Sequence, residues 1–239
     1  MSITPPDYFE SIRQAAERRW IQLEGDEDLA GPWHQLFKQV QSPRHVLSEL
    51  LQNADDAGAT KASAKVHEGV FEFTHNGEDF QADHFASLCR FGYSNKRSLH
   101  TIGFRGIGFK STFSLGPVVT IQTPSLHVFF NKARFTLPCW TNSSSGSGSE
   151  TLVSVKIQDG HREDELGKNL SEWRQSPVSL LFFRNLRELT LNDDHLAWLP
   201  LEAGPVPDSQ WYSLNGSAKD GRVPWSGVKP EVCDLIAAL

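Results

Sequence analysis

The sequence is poor in cysteine and has no long apolar segment, and each shortage excludes a class of protein. Cys89, Cys139 and Cys233 are too few and too scattered for a disulfide framework or a cysteine-rich metal site. The longest apolar runs, such as Val178–Phe183, are far shorter than the roughly 20 residues that span a bilayer. Two acidic side chains interrupt the first ten residues, where a signal peptide would be apolar. These absences indicate a reducing, cytoplasmic setting.

Basic residues are also in short supply. The chain has 23 lysines and arginines against 29 aspartates and glutamates, which gives a formal net charge of −6. A protein that binds duplex nucleic acid usually presents a basic stripe, so this balance disfavours nucleic acid as a partner. Apolar residues make up 38% of the 239 residues, which is enough to form a sizeable core.

Local patterns predict both helices and strands along the chain. Periodicity and turn signals predict helices over 7–24, 43–57, 83–90 and 161–176, and strands over 61–66, 70–74, 118–122, 128–130 and 151–157. Residues 178–191 are strand-like, and the pattern of 193–239 assigns no class. Asn142–Ser149 is a polar, low-complexity segment, either a flexible natural loop or an engineered graft in place of a longer one.

Three polar side chains share one face of the second predicted helix. At about 100° per residue, Glu49, Asn53 and Asp56 fall within a sector of roughly 60°, away from Leu47 and Leu50. An asparagine oxygen suits Mg²⁺, and a glutamate one turn earlier could accept a proton from an attacking water. By themselves, the three residues fit a solvated helix face better than a site.

A glycine-rich stretch precedes another predicted helix turn at 109–115. Gly103, Gly106 and Gly108 allow the backbone to approach a ligand closely, and N–H groups at a helix start bind anions. Lys110 and Ser111 add a cation and a hydroxyl. The stretch is not a P-loop, because one extra residue precedes the Lys-Ser pair and no buried strand leads into it. An ordinary turn before a buried helix is the alternative.

Taken together, the two stretches resemble a known ATP-binding domain. A Glu-x-x-x-Asn-x-x-Asp-Ala motif at 49–57 is followed by a Gly-x-x-Gly-x-Gly-Phe motif at 103–109. This combination resembles the domain shared by DNA gyrase, the ninety-kilodalton heat-shock chaperones, sensor histidine kinases and MutL, known as the GHKL superfamily. The resemblance covers about residues 30–192.

Two segments resemble particular branches of that superfamily. The Leu50–Ala57 and Gly106–Phe109 segments look like those of sacsin-like ATPases, the branch that includes the plant "no vein" proteins. Phe91–Lys96 resembles the lid sequence of microrchidia ATPases.

The resemblance implies a role for each matching residue. Glu49 would be the general base for water, Asn53 would ligate the Mg²⁺ that bridges the phosphates, and Asp56 would help to order the site near the nucleotide. The implied phosphate and lid contacts are Ser94, Lys96, Gly103, Arg105, Gly106, Ile107, Gly108, Phe109 and Lys110.

The implied adenine end departs from the family pattern. Where relatives carry Asp-x-Gly-x-Gly, this chain has His75-Asn76-Gly77-Glu78-Asp79, so His75 replaces the aspartate that accepts a hydrogen bond from the adenine amino group. A neutral histidine can accept through one ring nitrogen, which leaves the selectivity for adenine over guanine open. Thr151 matches a threonine that lies near adenine in relatives. The alternative is that His75 is a strand-end histidine without ligand contact.

The resemblance also implies a fold class and a domain organisation. The expected fold is an α/β, Bergerat-type two-layer sandwich, in which a mixed, mostly antiparallel sheet is covered on one face by helices. The expected parts are an N-terminal helix or strap over 1–29, an ATP-binding domain over 30–192 and a C-terminal extension over 193–239 that leads to a downstream region. The domain would carry a lid at about 84–108 and a flexible loop at 142–149.

The implied function is Mg²⁺-dependent ATP binding and slow hydrolysis, with the domain acting as a conformational switch in a larger protein. A chaperone-like role or phage defence would be its setting. One alternative is a non-hydrolysing nucleotide-binding scaffold, which the altered adenine motif favours. A second is a protein histidine kinase, which fits less well because the stretch before the first motif is too short for a phospho-accepting hairpin.

The implied partners follow from the same resemblance. They are ATP, downstream domains of the same protein and a second copy of the chain, since the apolar side of helix 7–24 could be exchanged between copies. Neither a membrane nor nucleic acid is expected as a partner of this domain.

Overall fold

The computed structural model describes residues 4–26, 28, 42–90, 108–142, 148–175, 180 and 183–198, and the backbone of 199–203 and 210–217. Its helices are α1 (Phe9–Glu24), α2 (Val46–Asp56), α3 (Ala82–Leu88) and α4 (Gly160–Gln175). Its strands are β1 (Lys61–His67), β2 (Val70–His75), β3 (Val118–Gln122), β4 (His127–Asn131), β5 (Pro138–Trp140), β6 (Thr151–Lys156), β7 (Glu188–Leu191), β8 (Asp194–Ala203) and β9 (Gln210–Ser217). Short 3₁₀ helices cover Pro43–His45, Gly108–Ser114 and Lys132–Arg134.

The described strands form one nine-stranded sheet in the order β5-β4-β3-β6-β2-β1-β7-β8-β9. Each pair of neighbours in this described sheet is antiparallel except β1 and β7, which are parallel. The β1–β2 hairpin turns through Glu68 and Gly69, both at positive φ (51° and 72°), which suits the twist of a tight hairpin. The predicted mixed, mostly antiparallel sheet is confirmed.

Apolar and polar side chains alternate along the strands, so one face of the sheet is buried. Cross-strand partners share a face, and Phe73 of β2 lies between Ala64 of β1 and Val153 of β6. The opposite face carries half-buried or exposed residues such as Glu72 and Thr74. The buried apolar residues of the covered face are Ala62, Ala64, Phe71, Phe73, Val119, Ile121, Val128, Phe130, Val153, Val155, Leu189, Leu191, Leu196 and Trp198.

The helices pack on this apolar face and complete the core. α2 contributes buried residues at a spacing of three or four, including Leu47, Leu51 and Ala54, and it packs against β1 and the 3₁₀ helix at 108–114. These residues join the strand residues in one hydrophobic cluster. The predicted two-layer sandwich with helices on one face is confirmed.

The N-terminal helix is part of the same core. Phe9 of α1 stacks on Phe85 of α3, with ring centroids 5.8 Å apart, and meets Trp140 edge-on at 5.2 Å. The indole N–H of Trp20 donates to Thr136 Oγ1 at 2.9 Å. The predicted helix over 7–24 is confirmed, and its apolar side is covered within its own chain. Its role as a strap exchanged between copies stays a prediction.

The strand prediction for 178–191 is wrong over residues 183–187. Among the described residues of that range, the strand begins only at Glu188. The backbone N–H groups of Arg184, Asn185 and Leu186 donate to the Asp55 carboxylate instead of a neighbouring strand. An aspartate on α2 therefore determines the path of this segment.

Two parts of the sheet were not predicted. The short strand β5 carries little periodic signal, and β8 with β9 extends the sheet from β7 through residue 217. The domain boundary expected between 192 and 193 stays a prediction, although the sheet continues across it. None of the helices in the described residues is long and apolar enough to cross a membrane.

Candidate functional site

The polar face of α2 is the first part of the site. Glu49 and Asn53 lie one helical turn apart and Asp56 follows near the helix end. All three are half-buried, whereas Leu47 and Leu51 are fully buried. The helix thus packs through its leucines and keeps the carboxylates and the amide at the border of the core, as the helical spacing predicts. The chemical roles of these three residues stay predictions.

Asp55 is a residue whose importance sequence reasoning missed. Its side chain is buried, and its Oδ1 accepts N–H bonds from Asn185 at 2.7 Å and Leu186 at 2.9 Å, while its Oδ2 accepts from Arg184 at 3.1 Å. Such charge-assisted bonds fix the chain that leads into β7. The signal was available, because Asp55 continues the buried stripe of Leu47 and Leu51 at intervals of four residues.

His75 ends β2 with its ring inside the protein. It is 8% exposed, and its Nδ1 accepts the backbone N–H of Gly77 at 3.1 Å. Burial lowers the pKa of His75 to about 4, so the ring is neutral at pH 7. A neutral imidazole has one acceptor nitrogen, and the turn already occupies it, so the proton is on Nε2. The expectation that the ring offers an acceptor to a ligand is therefore wrong: it offers a donor.

Thr151 lies directly beside His75. The two residues are partners across the antiparallel pair of β2 and β6, so their side chains share the covered face. Thr151 is 2% exposed, and its Oγ1 has no hydrogen-bond partner in the described part of the chain. A buried hydroxyl without a partner is costly to folding, which makes it a candidate for contact with a ligand.

Gly77 attaches this end of the sheet to the end of α2. A Cβ on Gly77 would lie 2.8 Å from the carbonyl oxygen of Ala57 and 3.0 Å from His75 Nδ1, so no larger residue fits without displacement. The next residue, Glu78, donates its N–H to the same Ala57 carbonyl at 2.8 Å. The His75 turn and the α2 terminus are thus one rigid unit, which places the His75–Thr151 pair next to the helix that carries Glu49 and Asn53.

The chain after the glycine-rich stretch is fully buried. Residues 108–114 form a 3₁₀ helix where the start of a longer helix was predicted, and Phe109 packs edge-on against Phe113 and Phe130. Lys110 is buried, and its Nζ donates to the carbonyl of Leu88, the last residue of α3, at 3.1 Å and to that of Arg90, just beyond it, at 2.7 Å. Burial lowers the pKa of Lys110 to about 8. These two bonds use two of the three N–H donors of the ammonium group.

Several predicted site residues lie outside the described residues. Arg44, just before α2, is described: it is exposed and pairs with Glu165 of α4 at 3.3 Å. The predicted lid is described only at its ends, as α3 and the 3₁₀ helix from Gly108. The residues that cannot be placed are Ser94, Lys96, Gly103, Arg105, Gly106 and Ile107.

The side-chain oxygens at this place suit a Mg²⁺ ion that takes most of its other ligands from a nucleotide. Across the described residues, no group of three or more histidine, cysteine, aspartate or glutamate side chains could hold a metal ion alone. Mg²⁺ keeps several waters and binds through one or two protein oxygens together with phosphates. The side-chain oxygen of Asn53 on α2 fits that requirement, and Glu49 lies one turn earlier on the same helix.

Comparison with known proteins gives local similarity to MutL. No protein-family model matches the sequence. The DNA mismatch repair protein MutL of Chlorobium chlorochromatii is 40% identical over 87 residues, which covers 32% of this chain and 13% of that protein. MutL of Streptococcus thermophilus is 32% identical over 103 residues, covering 39% of this chain and 16% of that protein. The chain thus matches less than a fifth of the length of these curated relatives.

A solved structure shows a weaker likeness. The ATPase region of Saccharomyces cerevisiae topoisomerase II aligns at a TM-score of 0.44 with 15% sequence identity, covering 67% of this chain and 59% of that chain. A likeness at this level defines neither the fold nor the function of this chain.

Proposed function

We propose that this chain is a nucleotide-binding domain of the GHKL type that binds and slowly hydrolyses a nucleoside triphosphate with Mg²⁺, for which the resemblance implies ATP. The observation that carries the proposal is the rigid unit joining α2, with Glu49 and Asn53, to the buried His75–Thr151 pair through Gly77. The local sequence similarity to MutL supports the same superfamily.

The two ends of this unit have different chemistry. The α2 end carries a carboxylate and an amide at the border of the core, which suit a metal ion, water and phosphates. The β2–β6 end carries a neutral imidazole and a hydroxyl, both buried, which suit an uncharged heterocycle. A nucleotide has this polarity, with a neutral base at one end and a metal-bound triphosphate at the other.

Each residue then has a role in the reaction. Asn53 would hold the metal through its amide oxygen, and Glu49 would orient a water and accept its proton during attack on the terminal phosphate. Asp56 helps to order the site near the nucleotide. Mg²⁺, when bound with the nucleotide, supplies charge neutralisation for the phosphates. The glycine-rich stretch would wrap those phosphates. It leads into the 3₁₀ helix that begins at Gly108, and N–H groups at a helix start bind anions.

The finer assignments rest on the resemblance. They are a sacsin-like ATPase with a microrchidia-like lid, acting in the cytoplasm as a conformational switch for downstream domains, with a chaperone-like role or phage defence as its setting. A homodimer formed in the nucleotide-bound state belongs to the same set.

A second candidate is a nucleotide-binding scaffold that does not hydrolyse. The observation that favours it is that the carbonyls of Leu88 and Arg90 use two of the three donors of Lys110, which is one of the predicted phosphate contacts. Phosphate release separates the two candidates.

The test compares Glu49→Ala and Asn53→Ala with the parent chain for ATP affinity by calorimetry and for phosphate release. Removal of a positioned general base costs about 10²–10⁴-fold in rate, so Glu49→Ala should bind ATP normally and hydrolyse far more slowly. Asn53→Ala should lose the Mg²⁺-dependent part of the affinity. Glu72→Ala, on the exposed face of β2, is the matched control and should change neither quantity.

Two results would contradict parts of this proposal. Binding without phosphate release by the parent chain would favour the scaffold. Equal rates for the parent and Glu49→Ala would remove Glu49 from the mechanism while leaving nucleotide binding in place.

A further inference from the structure

We propose that Arg19 of α1 and Lys110 are positioning residues for the phosphate end of the nucleotide site, because together they hold the end of α3 against the 3₁₀ helix at 108–114. This inference rests on the proposed function, in which α2 carries the phosphate end. It gives α1, which lies outside the ATP-binding domain expected over 30–192, a part in nucleotide binding.

Two cations from different elements reach three successive backbone carbonyls at the end of α3. The Lys110 ammonium group donates to the carbonyls of Leu88 at 3.1 Å and Arg90 at 2.7 Å. The Arg19 guanidinium donates to the carbonyl between them, that of Cys89, at 3.1 Å. The last carbonyls of a helix have no partner within the helix, so they take donors from elsewhere. These three oxygens, the α3 carbonyl cluster, therefore join α1, α3 and the 3₁₀ helix at one place.

Both cations are withdrawn from water, which makes the cluster demanding in its geometry. Lys110 is 1% exposed and Arg19 is half-buried. Burial lowers the pKa of Lys110 only to about 8, so the ammonium group is charged at pH 7 and its bonds are charge-assisted. A buried cation that loses its oxygen partners is strongly unfavourable, whereas apolar contacts are not directional. The cluster thus fixes the position of elements that apolar packing alone would only hold together.

The 3₁₀ helix carries this position to the site. Lys110 belongs to the helix that packs against α2, and α2 carries Glu49 and Asn53. The same helix begins at Gly108, where the glycine-rich stretch that would wrap the phosphates ends. A shift of Lys110 away from α3 would therefore move the start of this helix relative to Asn53.

Arg19 distinguishes a positional role from a direct phosphate contact. Arg19 lies on α1, which packs against α3 and β5, whereas the candidate site lies on α2, β2 and β6. If Lys110 acted only by contact with a phosphate, the loss of Arg19 would not change nucleotide affinity. If the cluster positions the site, the loss of either cation changes it.

The experiment measures the affinity of ATP with Mg²⁺ at pH 7 by calorimetry for the full chain, Arg19→Met, Lys110→Met and the double variant. Each single substitution removes donors to the same cluster and should weaken binding about tenfold, a usual size for a coupling between separate sites. The double variant should also be about tenfold weaker instead of about a hundredfold, because residues that act as a unit are not additive. Arg18→Met and Lys65→Met, at exposed positions of α1 and β1, are the controls and should bind as the parent does.

Several results would overturn the inference. An unchanged affinity in folded Arg19→Met beside a weakened Lys110→Met would indicate a direct phosphate contact by Lys110. Unchanged affinities in both folded variants would indicate that the cluster serves stability alone. Losses that multiply in the double variant would show that the two residues act independently.

Arg19 keeps the inference testable if Lys110→Met does not fold. Arg19→Lys keeps a cation that can donate to the Cys89 carbonyl, so it should bind ATP more tightly than Arg19→Met does. Equal affinities for the parent, Arg19→Lys and Arg19→Met would overturn the inference.

The same measurements separate this inference from the proposed function. If the parent chain binds no ATP, the proposed nucleotide site fails and the inference fails with it. If the parent binds ATP and Glu49→Ala blocks hydrolysis, but Arg19→Met leaves the affinity unchanged, only the inference about the cluster fails.

Discussion

Asp55 and the His75–Thr151 pair lie near the same end of α2, and all three side chains are buried. The Asp55 carboxylate accepts three backbone N–H bonds from residues 184–186, so the fold itself supplies its hydrogen-bond partners. In the pair, by contrast, Thr151 Oγ1 and His75 Nε2 have no partner within the described residues. Both regions are buried, but the fold supplies hydrogen-bond partners to the Asp55 carboxylate and, within the described residues, none to Thr151 Oγ1 or His75 Nε2.

Whether the fold supplies a hydrogen-bond partner is a criterion for distinguishing structural from ligand-binding polar groups. A buried polar group costs free energy unless it is hydrogen-bonded, so a group that the fold satisfies stabilises the fold. A group that the fold leaves unsatisfied lowers stability and needs an explanation, of which a bound ligand is one. On this basis Asp55 is an anchor, and His75 and Thr151 are the proposed recognition pair.

The largest expected effect is at the anchor. Asp55→Ala removes the acceptor of three backbone N–H groups and should lower the free energy of unfolding by about 3 kcal/mol. Asp56→Ala, one position along on the half-buried face, should cost less than about 1 kcal/mol. Denaturant unfolding measures both, and equal losses would break the distinction between the two aspartates.

An intermediate effect is expected from pH at the recognition pair. Burial lowers the pKa of His75 from 6.5 to about 4, so the unfolded chain binds more protons than the folded chain between these values. The His75 contribution to stability is therefore present above pH 6.5 and is lost as the pH falls toward 4. We expect a loss of about 2 kcal/mol between pH 6.5 and 4.5, measured by urea unfolding.

The matched variants for this titration are His75→Gln and His67→Gln. The first should show a shallower acid loss than the parent, because the neutral amide does not titrate. The second removes an exposed histidine and should follow the parent curve. Parallel curves for all three chains would show that folding does not lower the pKa of His75.

The smallest expected effect on stability is at Thr151. Thr151→Val keeps the shape of the side chain and removes a buried hydroxyl without a partner, so it should leave stability unchanged or raise it by about 1 kcal/mol. The same change should weaken nucleotide binding several-fold. Thermal unfolding and calorimetry on one preparation give both values, and a clear loss of stability would assign Thr151 to the fold instead of the site.

The strongly periodic parts of the fold could be predicted from the sequence. The helices over 7–24 and 161–176 and the β1–β2 hairpin follow from local spacing and turn chemistry, which act between residues close in the chain. The strand prediction over 183–187 failed because the N–H groups of residues 184–186 are taken by Asp55, about 130 positions earlier, and no local pattern reports such a contact.

Some features of the candidate site could likewise be predicted from the sequence, and others depend on tertiary structure. That Glu49 and Asn53 share a face of α2 follows from the sequence alone, because helical geometry places residues four apart on one side. Only the tertiary structure decided that His75 offers a donor, since its tautomer depends on the Gly77 N–H and its neutrality on burial. The same holds for Asp55 as an anchor and for Thr151 beside His75, because strand register and burial arise from packing of the whole sheet.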